Sequence, residues 1–131
     1  MSARILVVEH DPGIRQGLVE FLSACNFQVT SAETPMQALG ILSGNSYNVA
    51  ILDLLLPGMG GDAMISRANE IQPTLNYIIY TGSQDPQLSE PLVKAGIKPD
   101  QIFIKPVENV CQLVEAIKKL SATPTRFPGD I

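Results

Sequence analysis

The chain is short of cysteine, of positive charge and of long apolar runs, and each shortage excludes something. Only two cysteines, Cys25 and Cys111, occur in 131 residues. They form no CxxC pair, and a disulfide framework in a chain this short needs more of them. Each falls on the apolar side of a helix-like pattern, so both are read as buried thiols in a reducing cytoplasm. No apolar run approaches the ~20 residues of a membrane span. The N-terminus lacks the charged-then-apolar layout of a signal peptide. The expectation is a soluble, cytoplasmic protein that does not touch membrane. Nine Lys and Arg stand against 13 Asp and Glu, for a formal net charge of -4. That balance leaves no electrostatic footprint for nucleic acid, so no direct nucleic-acid partner is expected. Hydrophobic residues make up 45% of the chain, which excludes disorder throughout and suits one compact domain.

What is present is a series of short, intensely apolar runs: Ile5–Val8, Val49–Leu52, Tyr77–Tyr80 and Ile102–Ile104. None alternates polar with apolar, as strands covered on both faces need not. A fifth run, Phe27–Thr30, is more polar and is predicted to be an edge strand. Between the runs lie helical patterns. Ile14, Leu18, Phe21, Leu22 and Cys25 recur at helical spacing, with Asp11 as N-cap and Pro12 at the first helical position. Val110, Leu113, Val114, Ile117 and Leu120 form a second stripe. Residues 35–43, 62–71 and 86–95 are weaker helix candidates, and Pro91 inside the last predicts a short or distorted helix. Strand then helix, five times, gives an α/β fold: a doubly wound, five-stranded parallel sheet of flavodoxin-like type, with strand order 2-1-3-4-5. The folded domain is read as residues 1–121. Residues 122–131, with Pro124, Pro128 and Gly129, read as a flexible tail or linker stub.

Open parallel sheets bind ligands outside the carboxyl ends of their strands. The residues closing each strand here are Glu9, His10 and Asp11, then Asp53, then Thr81 and Gly82, then Lys105 and Pro106. In the inferred order, Glu9, Asp53, Thr81 and Lys105 share one rim. A carboxylate can attack phosphorus and become an acyl phosphate. Neighbouring acids would repel the incoming anion, so a hard divalent cation such as Mg²⁺ is expected to bridge them. A lysine on the opposite side and a threonine hydroxyl would hold the transferred oxygens. Asp11, one residue further on, reads as a helix cap and not as a ligand.

At these residues the chain resembles a known family. The segments ILVVEHDPGIRQGL, YNVAILDLLLPGMGGDAMI, IIYTGS and FIKPV are similar to the successive signatures of response-regulator receiver domains of two-component systems, across roughly residues 3 to 121. The resemblance implies that Asp53 is phosphorylated by a histidine kinase or phosphotransfer protein. It implies that Thr81 and Lys105 contact the phosphoryl group, and that Glu9, Asp53 and the Leu55 backbone carbonyl hold Mg²⁺. It implies a downstream effector that reads the fourth helix, fifth strand and fifth helix. It also implies a domain that is no ordinary enzyme, since the acceptor is its own side chain, with at most slow loss of its own phosphate. Pro57-Gly58 and Gly60-Gly61 match a family loop in which glycines permit positive φ. A cis bond is usual in the family where Lys105 meets Pro106.

Two positions depart from the family pattern. His10 stands where the family has a second acid, a direct metal ligand. Imidazole suits Mn²⁺ and softer metals better than Mg²⁺, so Mn²⁺ enters as an alternative cofactor. Three readings of His10 stay open: a metal ligand, a pH-sensitive group, or a replacement in a weakened site. Ile102 occupies the position of the switch aromatic, with Phe103 one place off. Both departures support an alternative function, a degenerate receiver that works as a phosphorylation-independent interaction module. The cognate kinase and the oligomeric state, a homodimer included, are left open. Other classes fit worse. A flavin site wants a Ser/Thr/Gly-rich loop where this chain has Glu9–Gly13. A cobalamin motif wants an acid where Val8 sits. A dehalogenase-type phosphohydrolase wants a second aspartate where Leu55 sits.

Overall fold

A computed structural model describes residues 3–56, 58–82, 88–105 and 110–122. The elements alternate as expected: β1 (Arg4–Val8), α1 (Pro12–Ala24), β2 (Gln28–Ala32), α2 (Pro35–Gly44), β3 (Val49–Leu52), α3 (Gly61–Ile71), β4 (Asn76–Thr81), α4 (Glu90–Lys94), β5 (Ile102–Ile104) and α5 (Val110–Ala122). All strand pairs are parallel, and the order is β2-β1-β3-β4-β5. This is the doubly wound topology that the alternating pattern predicts.

The apolar strands are apolar because the sheet is covered twice. Successive side chains point to opposite faces. On one face, Leu6, Val8, Ala50, Leu52, Tyr77 and Ile79 pack against α2, α3 and α4 through Leu39, Leu42, Met64, Ile65 and Leu92. On the other, Ile5, Val7, Val49, Ile51 and Ile78 meet α1 and α5 through Leu18, Leu22, Leu113, Ile117 and Leu120. β2 lies at the edge and is the most exposed of the long strands, as its polar residues require.

Helix starts follow their caps. Asp11 accepts from the Ile14 amide at 3.0 Å, and Thr34 accepts from the Gln37 amide at 3.1 Å, each followed by a proline whose missing N–H is not needed there. α4 is short, as expected, but Pro91 obeys the same rule and does not interrupt it. α4 begins at Glu90, so Pro91 sits in its first turn, and the helix is short because it starts late. Pro86 lies outside the described residues, as do Pro57, Pro106 and the tail from residue 123. The cysteines are also corrected. Cys25 is half-buried at the C-cap of α1, and Cys111 is exposed, because it lies off the Leu113–Ile117–Leu120 stripe of α5. Among the described residues, no helix is long and apolar enough to cross a membrane.

At the end of the sheet away from the rim, one side chain ties three backbone groups together. Gln72, just past α3, donates from Nε2 to the carbonyls of Leu42 (2.8 Å) and Asn45 and accepts from the Tyr47 amide at 3.1 Å. It thereby closes the turn that leads into β3. Gln72→Ala is expected to lower the unfolding free energy by about 2 kcal/mol, since three backbone groups lose this partner. Urea titration followed by circular dichroism checks this; an unchanged midpoint would show the amide to be dispensable.

Candidate functional site

The rim site is assembled from strand ends. Glu9 continues β1 by one residue, its amide donating to the Ala32 carbonyl at 3.1 Å, and this leaves its carboxylate buried at the top of the sheet. Asp53 directly follows β3. Its Oδ1 accepts from the Leu55 amide at 2.9 Å, which fixes the carboxylate plane. Its Oδ2 lies 2.9 Å from Lys105 Nζ. The same ammonium is 2.6 Å from Glu9 Oε1, while Glu9 Oε2 accepts from the Asp11 amide at 3.0 Å. Lys105 therefore does not stand opposite the acids, which corrects the expectation from residue type alone. It bridges them, because two carboxylates this close in a partly desolvated rim need a cation between them.

Thr81 ends β4 fully buried, and its carbonyl accepts from the Lys105 amide at 2.8 Å, extending the β4–β5 ladder by one residue. The charge states follow from these contacts. Burial pushes the Asp53 carboxyl up, but the Leu55 amide, the Lys105 ammonium and the Thr81 hydroxyl outweigh it and hold the carboxyl below the ordinary aspartate value. Burial pulls the Lys105 ammonium down, but hydrogen bonds and charge from Glu9 and Asp53 leave it above the ordinary lysine value. Asp53 is an anion at neutral pH, and Lys105 is its counter-ion.

Four residues that strand ends single out, Glu9, Asp53, Thr81 and Lys105, are brought together. Leu55 lies in the loop after Asp53 with its side chain exposed. His10 is exposed, and its carbonyl accepts from Arg15 Nη1 at 3.3 Å. Among the described residues, no group of three or more His, Cys, Asp or Glu is arranged to hold a metal ion. Two hard carboxylates nonetheless converge on one cationic point.

Three contributors lie within the family-like segments, which assign them no role at the site. Arg15 donates to the carbonyls of both Glu9 (2.9 Å) and His10, holding the β1–α1 loop from one turn into α1. The Tyr80 ring carries the Lys105 ammonium 5.3 Å from its centroid. Gly61 meets the loop after Asp53 so closely that a Cβ would lie 2.7 Å from Leu54 Cα. The expectation for the loop glycines is thereby revised: Gly58 does take a positive φ of 82°, but Gly60 does not, and Gly61 is required for close approach. The signal for Gly61 is present as the second half of a Gly-Gly pair at a helix start. Arg15 and Tyr80 give no signal, because an arginine in a first helical turn and a tyrosine in a strand are both ordinary. Further out, Ile102 packs toward the α4 side, and Leu88, Pro99, Ile102 and Ile104 line an open apolar groove. Phe103 lies with the α1–α5 side. One position along a strand is the opposite face, so Phe103 does not replace the aromatic missing at Ile102.

Comparison with known proteins identifies the family and the fold. Sporulation initiation phosphotransferase F of Bacillus subtilis is 28% identical over 91% of this chain and 94% of its own length. A cyclic di-GMP phosphodiesterase of Thermotoga maritima is 28% identical over 79% of this chain, but the chain spans only 27% of it. Among solved structures, a CheY-like receiver domain protein from Methanospirillum hungatei superposes with a TM-score of 0.83 at 28% identity, covering 93% of this chain and 95% of that one. The response regulator TrrA of Thermotoga maritima, solved in complex with Mg²⁺ and BeF, gives 0.78 at 27% identity, covering 92% and 99%. The family profile of the response regulator receiver domain matches residues 5–118, nearly the whole of the described fold, and the chain belongs to that family.

Proposed function

We propose that this receiver domain is a phosphoacceptor controlled by a histidine kinase or phosphotransfer protein, with Asp53 as the acceptor. The observation that carries the reading is the Asp53 carboxylate itself. It is held anionic by the Leu55 amide and shares the Lys105 ammonium with Glu9 on a rim that Thr81 completes. In the reaction, an Asp53 oxygen attacks phosphorus on a donor phosphohistidine. The P–N bond breaks, the ring nitrogen keeps the electron pair, and an aspartyl phosphate forms. Lys105 then exchanges its contact with Asp53 Oδ2 for a phosphoryl oxygen, and the Thr81 hydroxyl donates to another.

The donor set fits a hard divalent ion, since the oxygens of Glu9 and Asp53 already converge on a cation. Glu9, Asp53 and the Leu55 carbonyl would hold Mg²⁺, and His10 on the same loop makes Mn²⁺ a second candidate. When bound, such an ion offsets the negative charge of the arriving phosphoryl group. The signal passes to a downstream effector as a shift between two conformations, biased by new charge at the rim.

The test is intact mass after incubation with acetyl phosphate, with and without Mg²⁺ or Mn²⁺, beside Asp53→Asn. The expected result is a metal-dependent gain of one phosphoryl mass that the variant lacks. No gain with either metal, or with a phosphohistidine donor, would favour the phosphorylation-independent interaction module, to which the exposed His10 in place of a second acid points.

A further inference from the structure

We propose that Tyr80 is a positioning residue for Lys105, its ring seating the ammonium that handles the phosphoryl group. This rests on the phosphoacceptor reading above and adds a residue to it. Three contacts define where Lys105 Nζ sits: Glu9 Oε1 at 2.6 Å, Asp53 Oδ2 at 2.9 Å and the Tyr80 ring centroid at 5.3 Å. The last is within the ~6 Å over which an aromatic face attracts a cation. An aliphatic side chain at this place would fill space equally well but would exert no such pull.

The strand pair explains why Tyr80 suits the role. Alternation puts Tyr80 with Ile78 on the α1–α5 face of β4, so Thr81 points the other way. Asp53 is approached by Thr81 from one side of the sheet, and Lys105 is supported by Tyr80 from the other. The Lys105 amide is hydrogen-bonded to the Thr81 carbonyl at 2.8 Å, which keeps the lysine backbone beside Tyr80. Across the ladder Tyr80 pairs with Phe103, and both belong to the cluster that includes Val114 and Ala116 of α5. The ring is thus held by packing while the ammonium is held by charge. When Lys105 turns to a phosphoryl oxygen, the ring cannot follow, and the environment of Tyr80 changes. The chain has no tryptophan and three tyrosines, and the other two, Tyr47 and Tyr77, are buried in the core on the opposite face, so tyrosine emission can report this change.

The experiment compares the wild-type chain, Tyr80→Phe and Tyr80→Leu for the rate of phosphoryl gain from acetyl phosphate at saturating Mg²⁺, by intact mass. Tyr80→Leu is expected to be slower by about fivefold, and Tyr80→Phe, which keeps the ring face, to stay within about twofold of wild type. Equal rates for wild type and Tyr80→Leu would overturn the positioning role alone, as would Tyr80→Phe falling with Tyr80→Leu. A wild type that gains no mass would overturn the acceptor reading and this one with it. A second measurement does not depend on Tyr80→Leu folding. Tyrosine emission is followed as Mg²⁺ and beryllofluoride are added; a change in wild type that Tyr80→Phe lacks supports the seat, and no change in wild type overturns it.

Discussion

Lys105→Ala is expected to lower the unfolding free energy by about 3 kcal/mol at neutral pH, although it deletes a surface-rim lysine. The size follows from what remains. Glu9 and Asp53 keep side chains only 6% and 12% exposed and lose the ammonium that separates them. Breaking a buried ion pair by removing one partner costs more than the pair is worth, because the other charge stays behind; here two stay behind. The pH dependence has a definite sign. Asp53 is depressed in the fold, so its contribution is present above the unfolded value of 3.8 and is lost as pH falls through the folded value. Lys105 is raised, so its contribution is full below 10.5 and is lost as pH climbs through the folded value. The gap between wild type and variant is therefore widest across the neutral range and closes as pH falls below 3.8 and the Asp53 carboxyl protonates. Mg²⁺ is expected to recover part of the loss in the variant, because it supplies the missing positive charge. Urea unfolding at a series of pH values, with and without Mg²⁺, measures all three effects. Equal midpoints at pH 7 would mean that the bridge stabilises nothing.

Gly61→Ala is expected to cost about 2 kcal/mol of stability and to slow phosphoryl gain by about tenfold or more. Its Cβ would lie 2.7 Å from Leu54 Cα, 3.0 Å from the Asp53 carbonyl oxygen and 3.1 Å from Leu54 Cδ2. Two of these atoms are backbone and cannot swing aside. The Gly61 amide also donates to the Leu54 carbonyl at 3.1 Å, so the start of α3 is clamped to the segment that follows Asp53. A methyl group there forces the clamp open and moves the Leu55 amide that orients Asp53. Gly60→Ala is the control, since its Cβ would meet nothing closer than the Leu54 carbonyl oxygen at 3.9 Å. Thermal unfolding and acetyl-phosphate kinetics on both variants decide the matter. If Gly61→Ala behaves like Gly60→Ala, the close approach is relaxed by the loop and carries no function.

The sheet is legible in the sequence because Ile5–Val8, Val49–Leu52 and Tyr77–Ile79 are buried on both faces, and short continuous apolar runs bounded by polar turns suit covered parallel strands. α4 is harder to see. Its five residues give almost no periodicity, and a proline reads as a breaker until its place in the first turn is known. Cys111 departs from its pattern because near-periodicity is not burial: one step around a helix separates a core residue from an exposed one. At the site, residue types at strand ends point to Glu9, Asp53, Thr81 and Lys105, since topology alone brings them to one rim. Where the Lys105 side chain turns lies beyond the pattern. Its course is set by the competition of two carboxylates and a ring for one ammonium, which depends on distances between strands far apart in sequence. Arg15 is hidden for a similar reason, as its role lies in carbonyls that every residue has.

The sheet is not held equally across its width. β3, which delivers Asp53, has neighbours on both sides and is paired at all four of its residues with β1 and with β4. β5, which delivers Lys105, is a border strand joined to β4 at three positions. In hydrogen–deuterium exchange, the amides of β3 should be among the last to exchange and those of β5 among the first, since local opening follows the number of neighbours that must be lost. Asp53 is thus expected on one of the slower-opening parts of the molecule and its counter-ion on a faster-opening one. Lys105 can be redirected by a small excursion of the border while the carbonyl-to-carboxylate geometry of Asp53 stays in place.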